Sequence, residues 1–209
     1  MGALSSIEDL FVAVSQSFDA VTDHRLLEAT RAGDEAAFAE LVRRYRHPIT
    51  NYVYRLTNDY DLAVDIAQET FLRVYGAVAR YHTDYAFSTY IYRIATNLAI
   101  SELRRRKRRK LVSLTAIFRS HKGDEESEID PADSGPLPDA TLIAAERQRA
   151  VARAIATLPE KYRVPLILRD LEERGYEEIA TILRVSEGTV KSRISRARAL
   201  LRDKLRAHL

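Results

Sequence analysis

Almost throughout the chain from Ile7 onward, apolar residues return every three or four positions, and no long stretch alternates them with polar ones. That spacing lines them along one side of a helix, whereas half-buried strands need a two-residue period. The chain is therefore expected to be all-α. Ile7, Leu10, Phe11, Val14, Phe18 and Val21 predict an N-terminal amphipathic helix, with Ser5 and Ser6 three residues ahead of Glu8 and Asp9 as capping-box starts. A second helix is expected from Asp23 to Arg31, stopping near Gly33, and a third from Glu35 to Tyr45 with Phe38, Leu41 and Val42 inward. Pro48 marks a kink or a new start. Asp59 or Asp61 is placed to cap a long helix reaching about Ala79, and another is expected from near Ser88 into the run Arg104–Lys110.

One stretch breaks the period. Ser113 to Asp139 holds Pro131, Pro136, Pro138 and two glycines. Between Gly123 and Glu146 there is no Lys or Arg, while Asp124, Glu125, Glu126, Glu128, Asp130, Asp133, Asp139 and Glu146 are acidic. Such composition reads as a linker without regular structure. Helical spacing resumes at Thr141 and fits four helices: Ala140–Thr157, Glu160–Leu171, Tyr176–Leu183 and Glu187–Arg206. The expected architecture is two small helical domains, 23–112 and 140–209. An acidic flexible linker over 113–139 joins them, and residues 1–22 form a helical extension. The 209 residues are enough for two small cores.

Charge and chemistry narrow the function. The net charge is only +3, so the basic run Arg104–Lys110 and the acidic block point to electrostatic work done segment by segment. There is no cysteine, which excludes disulfides, thiolate metal sites and cysteine nucleophiles and is consistent with a cytoplasmic setting. No apolar run approaches the roughly 20 residues of a membrane span, so no direct membrane insertion is expected. His24, His47, His82, His121 and His208 are dispersed without metal-ligand spacing, and no phosphate-binding glycine loop or nucleophile motif occurs. Neither an enzyme nor a cofactor is expected.

Tyr176 to Arg198 reads YEEIATILRVSEGTVKSRISRAR and has the form of a helix-turn-helix. Ile179 and Leu183 share one face of its first helix, and Ala180 permits a close crossing. Ser186 is placed to cap the second helix, whose buried stripe is Val190, Ile194, Ala197 and Leu201. A second helix of this kind fits the major groove, its N-terminal side chains at base edges and its flanking cations at phosphates. Glu187, Thr189, Lys191, Ser192, Arg193 and Arg196 are the candidate contacts, Arg193 and Lys191 foremost.

The segment beginning at Leu158 resembles region four of sigma factors of the extracytoplasmic-function (ECF) group. Leu158-Pro159, Tyr162-Arg163, Glu178-Ile179-Ala180 and Gly188 to Arg193 carry the likeness. The resemblance implies docking on the β flap of RNA polymerase and reading of the minus-thirty-five element. Glu172-Glu173-Arg174-Gly175 departs from the family's less charged turn. DLAVDIAQETFLRVY, from Asp61, resembles the segment that grips the β′ clamp helices. That likeness makes Asp65, Gln68, Glu69 and Phe71 candidate contacts with core RNA polymerase, an acidic and amide face suited to basic clamp helices.

FSTYIYRIATNLAISELRRRKRR, from Phe87, resembles the family's promoter-melting and minus-ten segments. Aromatics ahead of a basic helix are what single-stranded DNA asks for, and a flipped base needs a pocket that replaces its lost stacking. Tyr81, Tyr85, Phe87, Tyr90, Asn97, Arg104, Arg105 and Arg108 are the candidate minus-ten residues. By the same periodicity Phe87, Ile91, Ile94 and Tyr92 read as core. Tyr90 stands where the family has Trp, and Ser101 where it has Asp. The likeness covers about Asp34–Arg109 and Leu158–Leu205. It implies a factor that joins core polymerase, binds promoter DNA in double- and single-stranded form and directs transcription initiation, under an anti-sigma factor. It also places the acidic linker along the RNA exit path. A conventional helix-turn-helix regulator would leave Asp65, Gln68, Glu69 and the aromatic-basic segment without a task.

Overall fold

The computed structural model describes residues 21–81, 85–118 and 149–206, with the side chains of 110–118 left aside. The expected N-terminal helix, His82, and the acidic stretch from Asp124 to Glu146 lie outside these residues. Every element among the described residues is helical.

Polar caps set the boundaries in the first half. Helix α1 (Asp23–Arg31) starts where Thr22 Oγ1 accepts from the Arg25 N–H at 3.5 Å and ends on Gly33, whose φ of +94° suits the residue without a Cβ. Asp34 then caps α2 (Glu35–Thr57), accepting from the N–H groups of Ala36 and Ala37 at 2.9 and 3.2 Å. Asp59, one of the two caps proposed from the sequence, accepts from the Leu62 N–H at 2.9 Å and opens α3 (Tyr60–Ala77). A 3₁₀ turn, Val78–Arg80, follows, and α4 runs from Phe87 to Phe118.

Two expectations are corrected. Pro48 does not start a new helix, and the helix expected to end at Tyr45 runs on to Thr57, because the turns beyond Pro48 are held by Ile49, Tyr52, Val53 and Leu56, all 0 % exposed. Burial of that size outweighs one missing backbone hydrogen bond. The linker does not begin at 113: α4 continues through Phe118, since nothing in Leu111–Phe118 breaks a helix and prolines appear only from Pro131.

In the second half, residues 149–156 form α5, followed by α6 (Glu160–Asp170), α7 (Tyr176–Leu183) and α8 (Glu187–Arg206). The α6–α7 turn passes through Glu173 at φ +55°, and the α7–α8 turn through Arg184 at φ +53°. Glu178 caps α7 from inside by accepting from the Gly175 N–H at 2.8 Å. Ser186 Oγ accepts from the Thr189 N–H at 3.3 Å and caps α8, as the sequence suggested.

Leu26, Leu41, Ile49, Tyr52, Leu56, Ile91 and Tyr92 centre the first core, and Ile167, Leu168, Ile179, Ile182, Val190 and Ile194 the second. The two cores join into one continuous buried cluster. α7 lies against α4, and α6 touches α2, so the two halves are packed on each other.

Candidate functional site

Three surfaces gather the sequence candidates. On α3, Asp65 and Gln68 are exposed, and Glu69 pairs with Arg73 one turn on, at 2.7 Å. Phe71 is not on that face. It is 8 % exposed and packs in the core, while its neighbour Leu72 stands 68 % exposed. The helical period that turns Ile66 inward turns Phe71 inward as well.

The second surface is built on α4 and the chain leading into it. Asp23, His24, Leu27, Tyr81, Tyr85, Phe87 and Ser88 line a cleft of about 490 Å³, within the size range of small-molecule sites. Phe87 is its floor, 4 % exposed, in edge contact with Tyr45 at 5.1 Å. Tyr81 is also buried; its hydroxyl donates to the Tyr85 carbonyl at 2.6 Å and its ring leans on Tyr90 at 4.7 Å. Tyr85 is 52 % exposed and is the ring of this cluster with a face open to a ligand. Arg93 stacks over Tyr90 at 5.6 Å, and Asn97 is exposed further along α4.

At the far end of the described part of α4, Arg105 pairs with Glu102 at 2.7 Å, and Arg106 with Asp59 at 2.7 Å. The Leu62 N–H and Arg106 together hold the Asp59 carboxyl below its usual range, as Arg105 does for Glu102. Arg104 reaches across to Glu160 of the second half at 2.8 Å. Lys107 and Arg108 are exposed and make no ion pair among the described residues. Asp65 and Glu69 share a groove with Ser101, Arg105 and Arg108, so the acidic face of α3 and the basic end of α4 adjoin.

The third surface is the start of α8. Glu187, Lys191, Ser192 and Arg196 are exposed, and Thr189 and Arg193 half-buried. Thr189 is spent on the cap, its hydroxyl 2.9 Å from that of Ser186, and Ser192 Oγ donates to the Thr189 carbonyl at 3.0 Å. Lys191 pairs with Glu187, which raises its pKa, and lies 5.4 Å from the Tyr176 ring centre. Arg193 and Arg196 have no such partner among the described residues and are the cations available to a ligand.

Comparison with known proteins shows the family of the chain. A model of Sigma-70 region 2 matches residues 41–109, and one of Sigma-70, region 4, matches residues 148–201. The RNA polymerase sigma-H factor of Pseudomonas aeruginosa is 36 % identical over 176 residues, covering 84 % of this chain and 90 % of the relative. The ECF RNA polymerase sigma factor SigW of Bacillus subtilis is 36 % identical over 180 residues, covering 86 % and 95 %. The chain belongs to the ECF sigma factors of the sigma-70 family.

Solved sigma factors share its fold. RpoE of Bartonella quintana, in complex with the anti-sigma factor NepR, aligns with a TM-score of 0.60 at 24 % identity, over 81 % of this chain and 96 % of that one. CnrH, in complex with the cytosolic domain of CnrY, aligns with a TM-score of 0.62 at 22 % identity, over 88 % and 97 %. This sigma factor directs promoter-specific transcription initiation, and its family consists of non-enzymatic initiation factors. No described helix is long and apolar enough to cross a membrane.

Sequence reasoning missed the residues that join the two halves of the sigma factor: Arg55, Tyr92, Glu172, Arg174 and Glu178. The signal was the charge in Glu172-Glu173-Arg174-Gly175, visible as a departure from the family's turn but without an assigned contact.

Proposed function

We propose that the two halves divide the promoter between them, 23–112 with the minus-ten element and 140–209 with the minus-thirty-five element. In this reading Asp65 and Gln68 of α3 grip the β′ clamp helices of core polymerase, and the second half docks on the β flap. Tyr85 stacks against an unpaired minus-ten base drawn into the cleft floored by Phe87, with Tyr90 and Asn97 beside it. Arg105, Lys107 and Arg108 hold the adjoining phosphates. Arg193 and Arg196 enter the major groove at the minus-thirty-five element. The observation that carries the reading is that α4 has an aromatic cleft at its start and, near its basic end, Lys107 and Arg108 without an ion pair among the described residues. A strand passing from melted to paired DNA needs both on one body. Work with polymerase places the protein in the cytoplasm. An anti-sigma factor is the proposed regulator, in keeping with the solved complex of RpoE with the anti-sigma factor NepR.

The test is the affinity for core polymerase of an Asp65→Lys, Glu69→Lys variant. Binding is expected to fall by at least tenfold with the helical circular dichroism unchanged, since surface reversals rarely unfold a domain. Undiminished binding would remove α3 from the polymerase interface.

A further inference from the structure

We propose that this sigma factor latches itself shut through Glu172 and Arg174, in a closed form that holds the second half against the minus-ten helix and cannot engage a promoter.

The latch is a built contact. Glu172 places its two carboxylate oxygens on two different elements of the first half. Oε1 accepts from Arg55 Nη1 on α2 at 2.8 Å, and Oε2 accepts from the Tyr92 hydroxyl on α4 at 2.7 Å. The same Arg55 nitrogen donates to the Leu171 carbonyl at 3.2 Å. The Glu172 side chain is 9 % exposed. A carboxylate taken that far from water is tolerated only when its oxygens are met, and here both are. Two residues on, past the left-handed turn at Glu173, the Arg174 guanidinium stacks over the Tyr92 ring at 4.3 Å. Beside it, Thr89 Oγ1 lies 3.5 Å from Glu178 Oε1, and at the other end of the contact Arg104 pairs with Glu160. The contact also carries a cost: Arg174 Nε is buried without an acceptor. A contact with strong specific bonds and one orphaned donor is suited to release.

Its position decides its consequence. α7, the first helix of the helix-turn-helix, lies on α4, the helix that carries the minus-ten candidates, and Arg104 is engaged by Glu160. The two promoter elements are some 25 base pairs apart, about 85 Å of duplex at 3.4 Å per pair. Two halves packed around a common buried cluster cannot sit on both. The inference rests on the reading of the two halves given above.

The chain has no cysteine, so Arg46→Cys and Asp203→Cys, both at exposed positions, supply a clean pair of label sites, one on each half. Distance distributions in the free full-length protein are expected to be short and narrow for the otherwise wild-type sequence and long and broad for Glu172→Lys with Arg174→Ala. Adding Arg55→Glu to Glu172→Lys should bring the short distance back, a rescue that damage to either fold would not give. Opening should also raise apparent affinity for promoter DNA carrying both elements by the inverse of the open fraction, about tenfold if nine molecules in ten are closed. A long distance in the unlatched and wild-type proteins alike, or a short one in both, overturns the latch. If neither protein binds core polymerase, the functional reading fails instead, and the distances still decide the latch.

Discussion

The carboxylate of Glu40 sits inside the first half with its side chain 3 % exposed, accepting from Arg43 Nε and Arg44 Nε at 2.7 Å each. Arg44 also reaches Asp23 at 2.8 Å, and Asp23 accepts from the Tyr45 hydroxyl, so α1 is tied to α2 through one charged cluster. The hydrogen bond from Arg43 holds the Glu40 carboxyl below 4.5 despite its burial. A carboxyl lowered on folding stabilises the fold fully above its unfolded value, and that share is lost as pH falls through the folded value. Denaturant melts should therefore show the first half weakening below about pH 4.5. Glu40→Gln should lower stability at pH 7 by about 1.5–3 kcal/mol and flatten part of that acid limb. An unchanged limb would transfer the effect to Asp59 and Glu102, whose carboxyls move the same way.

Helices α4 and α8 both meet DNA in the proposed reading, and they should fail differently. Arg193→Ala should cost roughly 1–3 kcal/mol of discrimination at the minus-thirty-five element, measured as the ratio of affinities for matched and mismatched sites. Arg105→Gln with Arg108→Gln should weaken all sequences alike and lower the slope of log affinity against log salt by about 1–2, because phosphate contacts carry no base identity. Equal loss at every upstream sequence in Arg193→Ala would reassign the reading residue. The helices themselves were legible in the sequence wherever a polar cap preceded an apolar stripe, as at Asp34, Asp59 and Ser186. Pro48 misled because local propensity is blind to the burial of Ile49, Tyr52 and Val53 that carries α2 past it. Phe71 misled because the choice between it and Leu72 for the outer face turns on a single step of about 100° around the helix. For Tyr92, periodicity recovered the buried ring but not where its hydroxyl goes, which depends on a residue 80 positions away.

At the scale of the whole molecule the two halves share a buried cluster and, among the described residues, two cross-connecting ion pairs, Arg55–Glu172 and Arg104–Glu160. Salt screens the exposed partner of each pair, so raising it from about 0.05 to about 0.5 M should shift the label distances toward the open form. Promoter complexes should weaken over the same range, because their phosphate contacts release counterions. The two trends are separable, since the first is read on free protein. The chain from 119 to 148 keeps the halves together whether or not they touch. A covalent connection of that kind sets an effective concentration in the millimolar range. At that effective concentration a latch with a millimolar Kd, about 4 kcal/mol, is half closed, and one closed in nine molecules of ten needs about 5.5 kcal/mol. A partner that binds a face the closed form covers, at a concentration well above its Kd, outcompetes the latch and, in doing so, frees the other half for its own ligand. Polymerase and promoter binding would then be coupled through a contact that neither of them makes.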